Sequence, residues 1–213
     1  MIMMTRSHSK SSVTIWAGAL SLLLIALLGG GCLSKPALKT QLFSFQTPPA
    51  ATASMGPIVM LRSVTVSPVF DNNSFIYRTG PETYEIDPYA SFMAPPAQAI
   101  SIAVRARLLA SGHFRNVVET GSLVQANQVI EINVSELYGD FSQAGKGAAV
   151  LSLRLSVYRM DNAGNRRPLL QKDYSRRIAL KKNTAADVMA GWDEALSEIM
   201  AEFTSDAPVR PRS

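Results

Sequence analysis

Sixteen uncharged residues, Val13 to Leu28, stand between a short basic stretch and the only cysteine of the chain. This feature constrains the fold most, because it removes the first 31 residues from any globular core. Arg6, His8 and Lys10 precede the apolar run, and Gly29, Gly30, Gly31 and Cys32 follow it. A basic region, an apolar region and small residues before a cut are the parts of a secretory signal peptide. A transmembrane anchor is the rival reading, but the run falls short of the ~20 apolar residues that span a bilayer. The cysteine separates the two. A free thiol in an exported protein is a reactive liability. At a cleavage site it has a use: it can be acylated, with palmitate for example, and cleavage before it frees an amine for a further chain. Several acyl chains on one residue hold a protein to a bilayer durably. Cys32 is therefore the expected lipidation site. Leu33 and Ser34 follow it, with no Asp, which suits the outer membrane more than retention at the inner one.

Processing would leave 182 of the 213 residues, room for one domain with one core. It also changes the charge. The whole chain has 21 Lys and Arg against 16 Asp and Glu. The removed segment holds two of the bases and no acid, so the mature chain carries 19 against 16, a net +3. That gives no reason to expect nucleic acid as a partner. One cysteine excludes an intrachain disulfide and any cysteine cluster for zinc or iron–sulfur.

Residues 33–57 are rich in Pro, Ala, Thr and Ser and read as an extended tether, with one short strand admissible near Lys39 to Phe45. The expected layout is a signal peptide at 1–31, a lipidated tether at 32–57, a folded domain at 58–204 and a flexible tail at 205–213. Within the domain, Ile58 to Val69 has strand patterning, ended near Pro68. Ser74–Tyr77 and Tyr84–Ile86 flank Thr79-Gly80-Pro81 as a hairpin, and Asp87-Pro88 then breaks the chain. Pro95-Pro96 opens a helix to about Ala110. Ile100, Val104, Leu108 and Leu109 form its apolar stripe, Arg105 and Arg107 flank it, and Gly112 ends it. Phe114–Val118 is a short strand. Gln128–Tyr138, Ala148–Met160 and Leu169–Leu180 are longer ones, the first two with clean alternation. A last helix, about Thr184 to Phe203, is capped by Thr184 and lined by Val188, Trp192, Leu196, Ile199 and Phe203. Alternating strands with segregated helices predict an α+β fold: a two-layer sandwich, mainly antiparallel, with two helices on one face.

Signs of catalysis are scarce. No nucleophile elbow, phosphate loop, zinc-protease or dinucleotide fingerprint is present. Gly145-Lys146-Gly147 reads as a turn, His113 has no second histidine in the mature chain, and Asp71, Glu82, Glu85 and Asp87 read as solvated loop acids. No enzyme, cofactor or metal is expected. The segment from Phe70 to Pro96 is unusual, with Phe75, Tyr77, Tyr84, Tyr89, Phe92 and Met93 close together and Arg78 beside Tyr77. It is either core filling or a set of anchors for a partner.

From about Cys32 to Phe203 the chain resembles the ABC-type transport auxiliary lipoproteins, which include the PqiC-like lipoproteins. The first strand ends Val66-Ser67-Pro68. Phe75-Ile76-Tyr77-Arg78 matches the family's I/V-x-Y-R stretch, and Tyr84 its following tyrosine. Phe92-Met93-Ala94-Pro95-Pro96 matches its W-x-x-P-P element, with Phe92 in place of Trp. Leu108-Leu109-Ala110-Ser111-Gly112-His113-Phe114 matches its helix end. The resemblance implies a non-enzymatic periplasmic lipoprotein of the outer membrane. It implies an MCE-domain protein as partner and, through it, an ABC transporter that moves lipids or other hydrophobic compounds. It also implies docking of that assembly, contact with lipid cargo, and self-association into a homo-oligomer. A structural or assembly lipoprotein of another envelope complex is the alternative.

Overall fold

A computed structural model describes residues 39–51, 54, 56–126, 128–161 and 164–207. The signal peptide, Cys32, the first part of the tether and the end of the tail lie outside the described residues. Among the described residues, eight strands and two helices follow in this order: β1 (Gln41–Phe43), β2 (Ile58–Val66), β3 (Ser74–Arg78), β4 (Tyr84–Phe92), α1 (Pro96–Ala110), β5 (Asn116–Glu119), β6 (Gln128–Asp140), β7 (Ala148–Met160), β8 (Arg166–Ala179) and α2 (Ala185–Asp206). Among the described residues, no helix is long and apolar enough to cross a membrane.

The strands form one curled sheet with mixed α/β surroundings. β6 is its hub: it pairs with β7 along one side and with β2 and then β3 along the other. β5 extends the sheet beyond β2, β4 and β1 extend it beyond β3, and β8 closes the other side against β7. The sheet is mixed, with parallel pairings that the expected antiparallel layout did not include. Four of the seven pairings are parallel (β1–β4, β2–β5, β2–β6, β3–β6), although the two longest, β6–β7 and β7–β8, are antiparallel. The reason is physical. Alternation of side chains records which face of a strand is buried, and carries no information on the direction of its neighbour.

Two further expectations shift. Asp87-Pro88 does not end a strand. β4 runs through it, and the register against β3 slips between Ile86 and Ser91. The Asp87 carboxylate fills that bulge by accepting from the Tyr89 and Ala90 amides at 2.7 and 3.2 Å. A bulge tolerates a proline because no ladder bond is asked of it there. The packed body also starts before the expected Ile58. β1 pairs with β4, and Phe45 is buried among the core aromatics, so the folded body begins at Gln41.

α1 packs over β2 and β5, and α2 over β7 and β8. Proline at the first position of α1 suits a turn whose N–H groups are free anyway. Gly112 follows the helix with φ +70°, a conformation that glycine adopts without a Cβ clash. At the start of α2 the Thr184 hydroxyl accepts from the Asp187 amide at 3.2 Å. The core is one cluster centred on fully buried Trp192. Phe75 and Phe92 pack on its ring at centroid distances of 4.8 and 5.5 Å, and Phe43 and Phe45 pack on them in turn.

Arg107 was expected on the flank of α1. It is instead 8% exposed, and its guanidinium joins three parts of the chain. It donates to the Asp193 carboxylate of α2 at 2.8 Å, to the Ser197 hydroxyl at 3.1 Å and to the Gln46 carbonyl at 2.8 Å. The Gln46 amide donates back to the same Asp193 oxygen at 2.8 Å.

Gly191 sets how closely α2 approaches the sheet. A Cβ there would lie 2.6 Å from the Ala149 Cβ on β7, a contact that neither side can relieve by rotation. Gly191→Ala is expected to cost about 1–3 kcal/mol through overpacking. The urea midpoint checks this, and an unchanged midpoint would mean that α2 is free to slide.

Candidate functional site

The aromatic segment divides at the sheet. Side chains on the α2-facing side of β3 and β4 are core: Phe75 is fully buried and Phe92 is 4% exposed. Tyr77 is half-buried on the same side. Its ring meets Phe141 edge-on at 5.1 Å, and its hydroxyl donates to Asp87 at 2.7 Å. Burial, and then the Asp87 carboxylate, push its ionisation well above the usual tyrosine range. Side chains on the opposite side carry the exposed residues. Tyr84 stands across from Arg78 and Ile86 across from Ile76. Tyr89 lies two residues before Ser91, which stands across from Leu42. Leu42, Ile86, Tyr89 and Tyr84 are 60%, 59%, 52% and 42% exposed.

The turn after β2 folds over this side of the sheet. Phe70 stacks on Tyr138 of β6 at 5.5 Å and meets Tyr84 edge-on at 5.9 Å, and Tyr84 meets Tyr138 at 5.7 Å. The Arg78 guanidinium lies 5.2 Å from the centre of the Tyr138 ring, a cation–π contact that orients it.

Beside the three rings, sequence reading gave no sign of a buried carboxylate. Asp140, the last residue of β6, is 1% exposed. Arg78 grips it in a bidentate pair, with Nε at 3.2 Å from Oδ1 and the terminal nitrogen on Oδ2. Arg177 of β8 reaches Oδ2 at 2.5 Å, and the Ser142 amide and hydroxyl donate to Oδ1 at 3.0 and 2.7 Å. Burial opposes the charge of Asp140. The bonds from Arg78, Ser142 and Arg177 outweigh it and hold the carboxyl well below the usual carboxylate range. Only the register of three strands brings Arg78, Asp140 and Arg177 together, so no local pattern could have marked Asp140.

A folded-state pKa below the unfolded one gives stability that is present above the ordinary aspartate range, near pH 4, and lost as pH falls through and below it. Asp140→Asn is expected to cost about 1–3 kcal/mol at neutral pH, because two arginines lose their shared anion but keep access to water. The gap should narrow at about pH 3, where the aspartate of the unfolded wild-type chain takes its proton while the folded carboxyl still resists it. Urea midpoints at the two pH values check this, and a gap independent of pH would show that packing, not charge, sets the cost.

The remaining candidates do not gather. His113 is exposed, its ring bound to the Ser111 carbonyl at 3.1 Å. Among the described residues no group of three His, Cys, Asp or Glu could hold a metal ion. What the surface offers is a rim of exposed apolar groups around a guanidinium–carboxylate–guanidinium node, a composition suited to contact with a partner.

A family model described as the ABC-type transport auxiliary lipoprotein component matches residues 41–203. The chain belongs to that family. The match begins at the first residue of β1, in agreement with the start of the packed body, and ends at Phe203 in α2. The auxiliary lipoproteins are associated by name with ABC-type transport and with a membrane-anchored place in the cell envelope. Two solved structures show the same fold. A Xanthomonas campestris protein of family DUF330 aligns with a TM-score of 0.64 at 14% identity, over 78% of this chain and 93% of its own. A second structure, of an uncharacterized protein, aligns at 0.62 and 13% identity, over 79% and 98%. A PelC dodecamer from Paraburkholderia phytofirmans aligns more loosely, with a TM-score of 0.40 at 13% identity, over 73% and 93%. No curated protein matches the chain.

Proposed function

We propose that this auxiliary lipoprotein is lipidated at Cys32, sits at the periplasmic face of the outer membrane, and docks the outer end of an MCE-type assembly driven by an ABC transporter. It performs no covalent chemistry. The observation that carries this reading is the side of β3–β4 turned away from α2. Tyr84, Ile86 and Tyr89, with Leu42 beside them, are exposed there around a fixed arginine pair. Aromatic and Arg anchors in one patch favour a protein partner. Docking fits better than carriage of lipid, because Trp192, Phe75, Phe92 and Phe45 fill the space between helix and sheet where an acyl chain would lie. Self-association through the same patch is compatible with this role.

The test is a photo-crosslinking residue at Tyr89, whose side chain makes no aromatic contact, in native envelopes. A crosslink to an MCE-domain protein is the expected result. Crosslinks confined to an assembly machine of the outer membrane would sink the transport reading in favour of a structural lipoprotein. The mass of the mature amino terminus tests Cys32 separately.

A further inference from the structure

We propose that one end of the sheet, the end from which the chain enters β1, is a contact surface for an anionic lipid bilayer. Strand directions define this end. β6 finishes there at Asp140, and β3, with Tyr77 opposite Gly139, finishes beside it. β4 runs back from Tyr84, opposite Arg78. β1 is parallel to β4, with Gln41 opposite Ala90, so the chain upstream of Gln41 approaches from the same end. β7 starts there, β8 finishes with Ala179 opposite Ala148, and α2 begins six residues later. The loops 79–83, 141–147 and 180–184 therefore share one end of the molecule, and β1 runs away from it, pairing with β4 from Ala90 onward.

This end is rich in cations without acidic partners. Lys146, Lys181 and Lys182 are exposed, and none makes an ion pair among the described residues. The Leu180 amide donates to the Gly147 carbonyl at 2.9 Å, which fastens the two lysine-bearing loops to each other. Lys39, also exposed, stands where the chain enters. Arg78 and Arg177 share the single charge of Asp140 nearby. Besides Asp140, the acids at this end are Glu82 and Glu85 on the β3–β4 hairpin and Asp187 against the Thr184 cap, and none of them pairs with these lysines. By contrast, Lys172 and Arg176 on β8 are matched to Glu198, Glu202 and Asp206 of α2.

Basic residues also stand at the opposite end, at Arg159 and Arg167. Chain length decides between the two ends. This step rests on the reading of Cys32 as the lipid attachment. Nine residue steps separate Cys32 from Gln41, a reach of at most about 30 Å. A tether of 32–57 would have reached nearly three times as far. The folded body is about 30–40 Å across, so the end bearing Lys146, Lys181 and Lys182 is held near the bilayer and the far end is held away. Exposed lysines within a Debye length of anionic headgroups are attracted to them.

The test uses the mature lipidated chain reconstituted in vesicles of phosphatidylethanolamine with phosphatidylglycerol, or of phosphatidylcholine alone. A fluorophore is attached through Asn183→Cys, or through Asn165→Cys at the far end, and quenched by a headgroup-labelled lipid. Quenching of the Asn183 label alone is expected in phosphatidylglycerol vesicles. It should fall in about 0.5 M salt, where the Debye length is about 4 Å. It should fall likewise in the K146Q/K181Q/K182Q chain, whose urea midpoint should be unchanged. A vesicle-bound protein whose Asn183 label is no more quenched in phosphatidylglycerol than in phosphatidylcholine overturns the contact surface and leaves lipidation standing. An unmodified Cys32 in the mass spectrum instead overturns the lipidation reading. Lysine-dependent shielding of Asn183 in native envelopes, absent in vesicles, overturns the lipid in favour of an acidic protein.

Discussion

Trp192→Ala is expected to remove about 3–5 kcal/mol of stability. The ring is fully buried and is the common contact of Phe75 and Phe92, which bring β3 and β4 against α2. Alanine leaves a cavity bounded by aromatic faces, which collapse poorly because each is held by its own strand. The indole N–H adds a second cost. It donates to the Val150 carbonyl at 3.1 Å and the Tyr138 carbonyl at 3.3 Å, so it bridges β7 and β6 from the helix. Trp192→Phe keeps most of the ring contact and gives up that bridge, for an expected loss of about 1–2 kcal/mol. Urea unfolding of the three proteins, followed by far-UV circular dichroism, separates the contributions. Equal losses for Phe and Ala would assign the effect to the hydrogen bonds alone, and a negligible loss for Phe would assign it to volume alone.

Arg107→Ala is expected to cost about 3 kcal/mol, because it strands the 16%-exposed Asp193 carboxylate and leaves the Gln46 carbonyl without its donor. Asp193→Ala should cost a similar amount. The pair Arg107→Ala with Asp193→Ala should cost less than the sum by at least about 1 kcal/mol, since removal of both charges leaves neither one buried alone. A double-mutant cycle in urea measures the coupling. Strict additivity would show that the two residues act separately, through packing.

The parts of this fold that sequence reading reached are those set by local rules. α2 was legible because Val188, Trp192, Leu196, Ile199 and Phe203 recur at helical spacing behind a threonine cap. α1 was legible from its proline and glycine ends. The long strands were legible from alternation. What escaped depends on register. Arg107 sits in an apolar stripe that reads as flanked by charge, and only the crossing of α2 turns it inward to Asp193. Asp140 looks like any strand-ending acid until Arg78 and Arg177 arrive from strands 62 residues before it and 37 after it. Asp87-Pro88 carries a break signal that a bulge absorbs. Within the aromatic segment, residue type alone does not sort the side chains. The sheet assigns Phe75 and Phe92 inward and Tyr84 and Tyr89 outward by the parity of their positions around that bulge.

The three-residue strand β1 and the clamp at Gln46 also decide how the domain bears force. A pull on the chain from its amino-terminal side does not reach the long strands first. It meets the β1–β4 ladder, then Phe45 in its aromatic socket, then the Gln46 bonds to Arg107 and Asp193. Those last bonds end on two different helices, so tension is divided between α1 and α2 before it can peel the sheet. The sheet hub at β6 is then mechanically insulated from whatever moves the chain upstream.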